Sequence, residues 1–385
     1  MTEIYFDNSA TTKMSEGAKR KMTEVIDNHF GNPSSLHARG VDAEHIKEDA
    51  RKTILASLGV QRGVRGELVF TSGGTEANNM AIFGVVGSKT RVGNEKIMVT
   101  AGEHSSVEES VAVLEKKGYT VLRVPTEKGK LDIDFIRENA KDVILASFMH
   151  VNNETGALYS LKEAFDLIKA LSPRCVTHAD CVQSYMKVKF TKKSINADLI
   201  SLSAHKVNGA KGVGALYVSP DVIKTKRLVP IVYGGGQEEG FRSGTENVYG
   251  IAAFGEAVKE HMANMEREIA NMDSLRSYII EKLSYLEVRP NLPEKHAPHI
   301  LNITLPGIRS ETMLHHLSSK GVYVSSGSAC SSHSNKLSSA LKSFGLTDGE
   351  ADSSIRVSLC PENTKEEADV FISALSEGLK SLQRK

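Results

Sequence analysis

Lys206 lies between two apolar runs, residues 199–202 and 213–218, and each run predicts a buried strand. The lysine comes shortly after the first run, so we expect its side chain to lie partly out of water. Because desolvation disfavours the ammonium form, a lysine in such a place can serve as a reactive amine. A surface lysine in a hairpin loop is the alternative, and this stretch alone does not decide between the two.

A glycine-containing segment, TSGGTEAN at residues 71–78, directly follows an apolar run and opens a helical pattern. Free backbone N–H groups and the positive end of the helix dipole favour an anion at such a helix start, and the Gly73–Gly74 pair leaves room for it. The hydroxyl of Thr75 could add a hydrogen bond. The segment is neither a GxGxxG fingerprint nor a Walker motif, because no GK[ST] follows. It predicts a phosphate site, with a simple helix cap as the alternative.

Three further side chains stand at or within predicted strands. Asp180 comes at the carboxyl end of a strand, where it could pair with a protonated ring nitrogen of a cofactor or cap the next turn. His104 follows the strand pattern of residues 97–99 and could move a proton or offer a flat surface to a ring, although a lone histidine is more often structural. Arg356 lies inside a short apolar run and needs a carboxylate, from a ligand or from the protein.

The chain has four cysteines, and they show neither paired metal-ligand spacing nor the density of a disulfide framework. We therefore expect reduced thiols and no metal site. Cys330 stands in a loop of small polar residues, where a thiol is accessible and therefore reactive. Cys175 follows the bland pattern of a buried residue on an apolar strand, and Cys181 and Cys360 have no context comparable to that of Cys330.

The elements that must position these residues alternate between strand and helix patterns from residue 68 to residue 202, which predicts a doubly wound, mainly parallel sheet. A long helical pattern over residues 250–286 ends before a run of prolines, and the patterns beyond it predict a smaller α+β domain. The net charge of +1 gives no support to nucleic-acid or membrane binding. With no leader pattern and no 18-residue apolar run, we expect a cytoplasmic protein.

A phosphate site, a carboxylate for a ring nitrogen, a reactive lysine, an arginine and an accessible thiol together suggest pyridoxal phosphate chemistry on an amino acid. The chain closely resembles the cysteine desulfurases of the NifS/IscS type, within the class V aminotransferase-like group of fold type I. The stretches that carry the resemblance span almost the whole chain in the family's order: YFDNSATT (5–12), GNPSSLH (31–37), FTSGGTEANN (70–79), EHSSV (103–107), MHVNNETG (149–156), HADCVQS (178–184), SLSAHKVNGAKGVGALYV (201–218), GGGQEEGFRSGTEN (234–247), SSGSACSS (325–332) and SSIRVSL (353–359).

The resemblance implies a fold-type-I architecture, with a mainly parallel seven-stranded sheet in a large domain (residues 13–260) and a smaller α+β domain (residues 1–12 and 261–385). It implies three catalytic residues: Lys206 carries the cofactor, His104 stacks on its ring and Cys330 accepts sulfur. The cofactor-binding residues that it implies are Gly74, Thr75, His104, Asn153, Asp180, Gln183, Ser203, His205, Lys206 and Thr245. Of these, Asp180 would pair with the ring nitrogen and Gln183 with the ring hydroxyl. Thr75, Ser203 and His205 would hold the phosphate, which Thr245 would reach from the other subunit of a homodimer.

The implied reaction converts L-cysteine to L-alanine and leaves a persulfide on the enzyme. Asn153 and Arg356 would hold the substrate carboxylate, and an iron–sulfur scaffold or a tRNA-thiolating enzyme would receive the sulfur. A selenocysteine lyase or an aminotransferase is the alternative within the fold, and an inactive sulfur-relay scaffold is the alternative from another class. The chain departs from the family in two places. Residues 333–336 differ from those of better-known members, which leaves the identity of the sulfur acceptor open. Cys181 stands where the family more often has a small residue or threonine, which leaves the role of this thiol open.

Overall fold

The computed structural model describes residues 3–89, 95–326 and 338–382. Its strands are, in chain order, β1 (Ile4–Tyr5), β2 (Leu68–Thr71), β3 (Lys96–Thr100), β4 (Thr120–Val124), β5 (Val143–Met149), β6 (Val176–Asp180), β7 (Leu199–Ser203), β8 (Gly214–Val218), β9 (Arg289–Asn291), β10 (Ile300–Thr304), β11 (Val322–Tyr323), β12 (Ser325–Ser326) and β13 (Ser354–Ser358). Its α-helices are α1 (Glu16–Asn28), α2 (Ala38–Ser57), α3 (Gly74–Gly87), α4 (Ser105–Lys116), α5 (Ile133–Asn139), α6 (Leu161–Leu171), α7 (Lys192–Ile195), α8 (Pro220–Lys224), α9 (Val248–Leu283), α10 (Ser310–Ser319), α11 (Ser339–Phe344), α12 (Asp348–Asp352) and α13 (Lys365–Ser381).

Seven of these strands form one sheet in the order β2-β8-β7-β6-β5-β3-β4. Strand β8 pairs antiparallel with both of its neighbours, and the other neighbouring pairs are parallel. The predicted mainly parallel seven-stranded sheet is therefore confirmed. Because β2, β3, β5, β6 and β7 all point the same way, their carboxyl ends meet along one edge, and the residues that follow them gather there.

Both faces of the seven-stranded sheet are covered, so all of its strands except β4 are buried almost throughout. Successive side chains of a strand point to opposite faces of the sheet, as β2 shows. Leu68 and Phe70 belong to one apolar cluster, and Val69 belongs to the cluster on the opposite face. Helix α9 packs against α1 and α2, and Gly255 makes the second contact close. A Cβ atom at Gly255 would lie 2.8 Å from the Cβ of Ala50 on α2, so a larger residue there would push the helices apart.

A second group of elements is built around the antiparallel sheet β12-β13-β10-β9, with β1 and β11 paired beside it. Its apolar cluster joins Ile4 and Phe6 to α10, α13 and the second half of α9. Helix α9 runs unbroken through residue 260, so the domain boundary at that residue stays a prediction. Within the described ranges, no helix combines the length and apolar character needed to cross a membrane.

Candidate active site

Four of the candidate residues follow the carboxyl ends of parallel strands. Asp180 is the last residue of β6, and Ser203 is the last residue of β7. His104 comes four residues after the end of β3, and Gly74 comes three residues after the end of β2. The strand ends thus bring together residues that are far apart in the sequence, at the edge where the doubly wound fold binds ligands.

A chain of hydrogen bonds joins Asp180 to His104 through two residues that the sequence did not single out. The amide nitrogen of Asn78 lies 2.7 Å from Asp180 Oδ2 and 2.8 Å from the Ser106 hydroxyl. That hydroxyl lies 2.8 Å from His104 Nδ1. The other oxygen of Asp180 accepts from the backbone N–H of Val182 at 2.9 Å. The carboxylate and the imidazole are therefore parts of one oriented polar network.

Lys206 ends a short 3₁₀ turn, Ala204–Lys206, that directly follows β7, and its side chain is partly buried. Its amine donates to the backbone carbonyls of Ser9, at 2.5 Å, and Ala10, at 2.8 Å. The side-chain amide of Gln183 donates to the same Ser9 carbonyl at 2.9 Å. The DNSATT segment near the start of the chain thus aligns the reactive lysine beside Gln183.

Ser203 Oγ and Gln183 Oε1 are among the buried oxygens of this site that have no hydrogen-bond partner in the described residues. A buried polar atom without a partner is costly and points to a missing ligand or water. Burial and the neighbouring Lys206 lower the pKa of His205 to about 4, so its ring is neutral at physiological pH. A neutral imidazole that is already surrounded by lysine charge can donate to an anion without adding a charge of its own.

The glycines of the site fit a tightly packed phosphate loop. A Cβ atom on Gly74 would lie 2.7 Å from a methyl group of Val182, and one on Gly214 would lie 2.6 Å from the backbone of Gly73. Thr75, on the first turn of α3, is exposed, so its hydroxyl is open to a ligand. Two orphan oxygens, an exposed threonine at a helix start, the Lys206 amine and the Asp180 carboxylate together fit the phosphate, hydroxyl, aldehyde and ring nitrogen of pyridoxal 5'-phosphate.

Arg356 lies on β13 with only 5% of its surface exposed. Its guanidinium donates to the backbone carbonyl of Asn153 and pairs with the Asp7 carboxylate, both at 2.8 Å. The structure therefore brings together Arg356 and Asn153, the two residues expected to hold a substrate carboxylate. A carboxylate from the protein was one of the two alternatives that the sequence left open for Arg356, and the structure identifies it as that of Asp7.

Thr245 is exposed. Its loop, residues 234–247, is fastened by ion pairs on both sides. Arg242 pairs with Glu76 of α3 at 2.8 Å, and Glu246 pairs with Lys47 of α2 at 2.9 Å. Thr245 is thus exposed on a loop that these ion pairs hold, and its contact with a second subunit stays a prediction.

Cys330 lies outside the described residues, so the structure does not bear on its predicted role. The described cysteines are unpaired, and Cys175 and Cys181 are buried while Cys360 is half-buried. Burial raises the pKa of the Cys175 and Cys360 thiols to about 12, and burial likewise raises that of Cys181. These three residues are therefore thiols rather than thiolates at neutral pH, which makes them poor nucleophiles.

The fold and the site define a pyridoxal phosphate enzyme of fold type I. The aminotransferase class-V family profile matches residues 4–371. The chain is 38% identical to a NifS/IcsS protein homolog of Lactobacillus delbrueckii subsp. bulgaricus, over 97% of this chain and 96% of that protein. It is 36% identical to cysteine desulfurase IscS 1 of Archaeoglobus fulgidus, over 96% of this chain and 95% of that protein.

A solved NifS-like protein superposes with a TM-score of 0.91 at 32% identity, over 99% of this chain and 100% of that one. The chain belongs to the aminotransferase class-V family and, within it, to the cysteine desulfurases of the NifS/IscS type. Proteins of this class use pyridoxal 5'-phosphate, which agrees with the site described above.

Proposed function

We propose that this chain removes sulfur from L-cysteine, releasing L-alanine and forming a persulfide on Cys330. The observation that carries the proposal is the cluster at the strand ends, where the Lys206 amine, the Asp180–His104 network and two orphan oxygens share one site. Bound pyridoxal phosphate supplies an electron sink for the charge left when a proton departs from the substrate α-carbon. Every other requirement falls on side chains of the protein.

Lys206 holds the cofactor and then moves the substrate proton. The carbonyls of Ser9 and Ala10 orient its amine within the site, where the amine would be placed to take a proton from the substrate α-carbon. A neutral lysine amine can accept that proton and deliver it later to the β-carbon of the product.

Arg356 and Asn153 orient the substrate through its carboxylate. An arginine offers a planar set of donors that matches a carboxylate in two places. Buried Arg356 is already fixed by Asp7 and by the Asn153 carbonyl, so less conformational entropy is lost when substrate binds.

The sulfur-accepting thiolate belongs to Cys330 in this proposal. Its sulfur attacks the substrate sulfur, the carbon–sulfur bond of the substrate breaks, and the β-carbon takes a proton. The atoms and electrons balance, because cysteine and an enzyme thiol give alanine and an enzyme persulfide. The raised pKa values of Cys175, Cys181 and Cys360 support this assignment by disfavouring the other thiols.

The decisive experiment incubates the purified holoenzyme with L-cysteine, measures alanine and sulfide, and locates the persulfide by mass spectrometry. We expect equal amounts of alanine and transferred sulfur, with the extra sulfur on Cys330. The Cys330→Ala variant should keep the cofactor absorbance and yield no sulfide with a thiol reductant, whereas Cys181→Ala should remain active. A keto acid product would indicate an aminotransferase instead, and exclusive turnover of selenocysteine would indicate a lyase.

A homodimer completes the proposed site through Thr245. Exposed apolar side chains support a buried face between subunits, since Phe30 is 74% exposed, Leu36 is 98% exposed and Tyr249 is 45% exposed. Mixing Thr245→Ala subunits with Lys206→Ala subunits tests this arrangement. If Thr245 serves the partner's site, each mixed dimer contains one intact site and activity returns. If Thr245 serves its own site, the mixture stays inactive.

The acceptor, the compartment and the domain division complete the proposal. We place the boundary of the larger domain at residues 13–260, supported by the separate apolar cluster that holds Ile4, Phe6 and the elements after α9. Unpaired cysteines among the described residues agree with the cytoplasm. An acceptor protein, either an iron–sulfur scaffold or a tRNA-thiolating enzyme, would take the persulfide sulfur. Incubation of the persulfide form with each candidate, followed by mass spectrometry, decides between them.

A further inference from the structure

His104 caps the first turn of α4 with its imidazole ring. Its Nδ1 accepts from the backbone N–H of Ser106 at 3.2 Å. Serine, threonine, aspartate and asparagine usually fill this position, because their oxygens accept from the free N–H groups of the first turn. An imidazole can do so only through a nitrogen that carries no proton. The cap therefore requires a bare Nδ1.

The direction of the side-chain hydrogen bonds gives the same answer independently. A carboxylate only accepts, so the group that faces Asp180 Oδ2 must be the NH₂ of Asn78. One N–H of that group points to Asp180 and the other points to the Ser106 oxygen. The Ser106 hydroxyl already accepts this bond, and its own proton is therefore available to His104 Nδ1, 2.8 Å away.

We propose that Ser106 and Asn78 are positioning residues that hold His104 in the neutral tautomer with its proton on Nε2. The inference rests on the proposed function, in which His104 lies against the cofactor ring. It adds the protonation state of the His104 imidazole. A neutral imidazole would lie against the cofactor without placing a second cation beside Lys206. The proton on Nε2 is then the one that His104 can exchange.

The charges around His104 act on the same equilibrium. Burial is the largest influence and lowers the pKa of His104; the charge of Lys206 adds to this effect, and the carboxylate of Asp180 opposes it. The positive end of the α4 dipole also disfavours a cation at this position. Buried Glu103, the preceding residue, has its pKa raised to about 8 by burial and adds little negative charge at neutral pH. Protonating Nδ1 would also turn it into a donor, which would then face two other donors, the N–H and the O–H of Ser106.

A purely structural role for Ser106 is the competing explanation, and the chain offers a matched control. Ser110 lies one turn further along α4, is similarly buried and donates its hydroxyl to the Ser106 carbonyl at 2.8 Å. Ser110→Ala removes the same atom from the same helix without touching His104. Ser106→Thr keeps the hydroxyl, so it should restore what Ser106→Ala loses.

The test uses the holoenzyme labelled with ¹⁵N at its thirteen histidines. The resonances of His104 are identified as those missing from His104→Gln, and they are followed through a pH titration. We expect a bare Nδ1 and a protonated Nε2 in the wild type. Ser106→Ala should raise the pKa of His104 by roughly half to one unit, the effect of one neutral hydrogen bond. Ser106→Thr and Ser110→Ala should titrate like the wild type.

Two outcomes overturn the inference: a proton on Nδ1 in the wild type, or equal titration of Ser106→Ala and Ser110→Ala. Kinetics supply a second measurement, since the acid limb of kcat/KM for alanine formation should move to higher pH in Ser106→Ala alone. If the wild type made no alanine, the proposed function would fail while the tautomer remained readable by NMR. The two failures are thus distinguishable.

Discussion

Asp7 and Arg356 form an ion pair between the two ends of the chain, with Asp7 Oδ1 2.8 Å from an outer nitrogen of the guanidinium. The second outer nitrogen binds the Asn153 carbonyl at 2.8 Å. The inner nitrogen, Nε, is buried and has no partner in the described part of the chain. The arginine is therefore oriented in advance but keeps donor capacity, which suits a group that binds a substrate carboxylate.

We predict that Arg356→Lys lowers kcat/KM for L-cysteine about ten- to a hundred-fold, mainly through KM, because lysine lacks the planar fork and charged hydrogen bonds are lost. Steady-state alanine formation measures the effect, and the cofactor absorbance should not change. Arg289→Lys is the matched control, since Arg289 is half-exposed on the same antiparallel sheet. An unaltered KM in Arg356→Lys would remove Arg356 from the substrate site.

We predict that Lys187 makes the stability of the protein depend on pH. Its amine is buried and without a partner among the described residues, and burial, with Lys206 nearby, lowers its pKa to about 7. An unfolded lysine has a pKa near 10.4, so between about pH 7 and pH 10 the unfolded chain binds the extra proton. The free energy of unfolding therefore rises with pH across that window. Lys187→Met should stabilise the protein by up to about 4 kcal/mol at pH 7 and by almost nothing above pH 10.

Denaturant titrations at pH 7 and pH 10 measure this difference for Lys187→Met and for Lys189→Met. Lys189 is exposed and pairs with Glu266, so its replacement should give the same small change at both pH values. A Lys187→Met variant that is less stable than the wild type at pH 7 would mean that the amine has a partner in the protein as it exists in solution.

Most of the fold could be predicted from the sequence, because buried strands and amphipathic helices leave strong periodic signals. Strands β2 to β7 and helices α3, α4 and α6 alternate over the range predicted from residue 68 to residue 202, and α9 lies within a few residues of the helical pattern predicted over residues 250–286. Helix α1 was not predicted, although Ser15 caps it, because only three of its thirteen residues are buried. Short α5 was missed as well, since its buried face is a single residue, Ile136.

The site was less accessible to sequence reasoning than the fold. Lys206, Asp180 and His104 stand at strand ends, and that position gave the signal. Asn78 and Asp7 carry no such signal, because their importance lies in partners that are distant in the chain. Asn78 meets Asp180 across 102 positions, and Asp7 meets Arg356 across 349. Only the folded arrangement reveals these contacts.

Lys206→Ala should reduce alanine formation below detection and abolish the visible absorbance of covalently held cofactor. The reason is that no other amine is held by the Ser9 and Ala10 carbonyls in the described structure. Lys211→Ala removes an exposed lysine from the same loop and should leave both readings intact. A band in Lys206→Ala that borohydride still reduces would show that another residue carries the cofactor.

The stability of the loop that carries Thr245 should depend on the buried ion pair between Lys47 and Glu246. Lys47 lies 2.9 Å from Glu246 and 2.7 Å from Glu44, and the Glu246 side chain is only 4% exposed. Lys47→Met leaves the Glu246 carboxylate buried without its counter-ion, which should cost about 3–5 kcal/mol in the free energy of unfolding. Because Glu246 follows Thr245 directly, the variant should also release cofactor faster, which the decay of cofactor absorbance on dilution measures.

Two comparisons decide whether that ion pair is responsible. Lys21→Met breaks an exposed pair with Glu24 and should cost less than about 1 kcal/mol. The double variant Lys47→Met/Glu246→Gln removes both charges, so it should recover most of the lost stability, because the penalty comes from the unpaired carboxylate rather than from the absent amine. If Lys47→Met cost no more than Lys21→Met, or if the double variant were as unstable as Lys47→Met, the loop would be held by its backbone contacts and not by this charge.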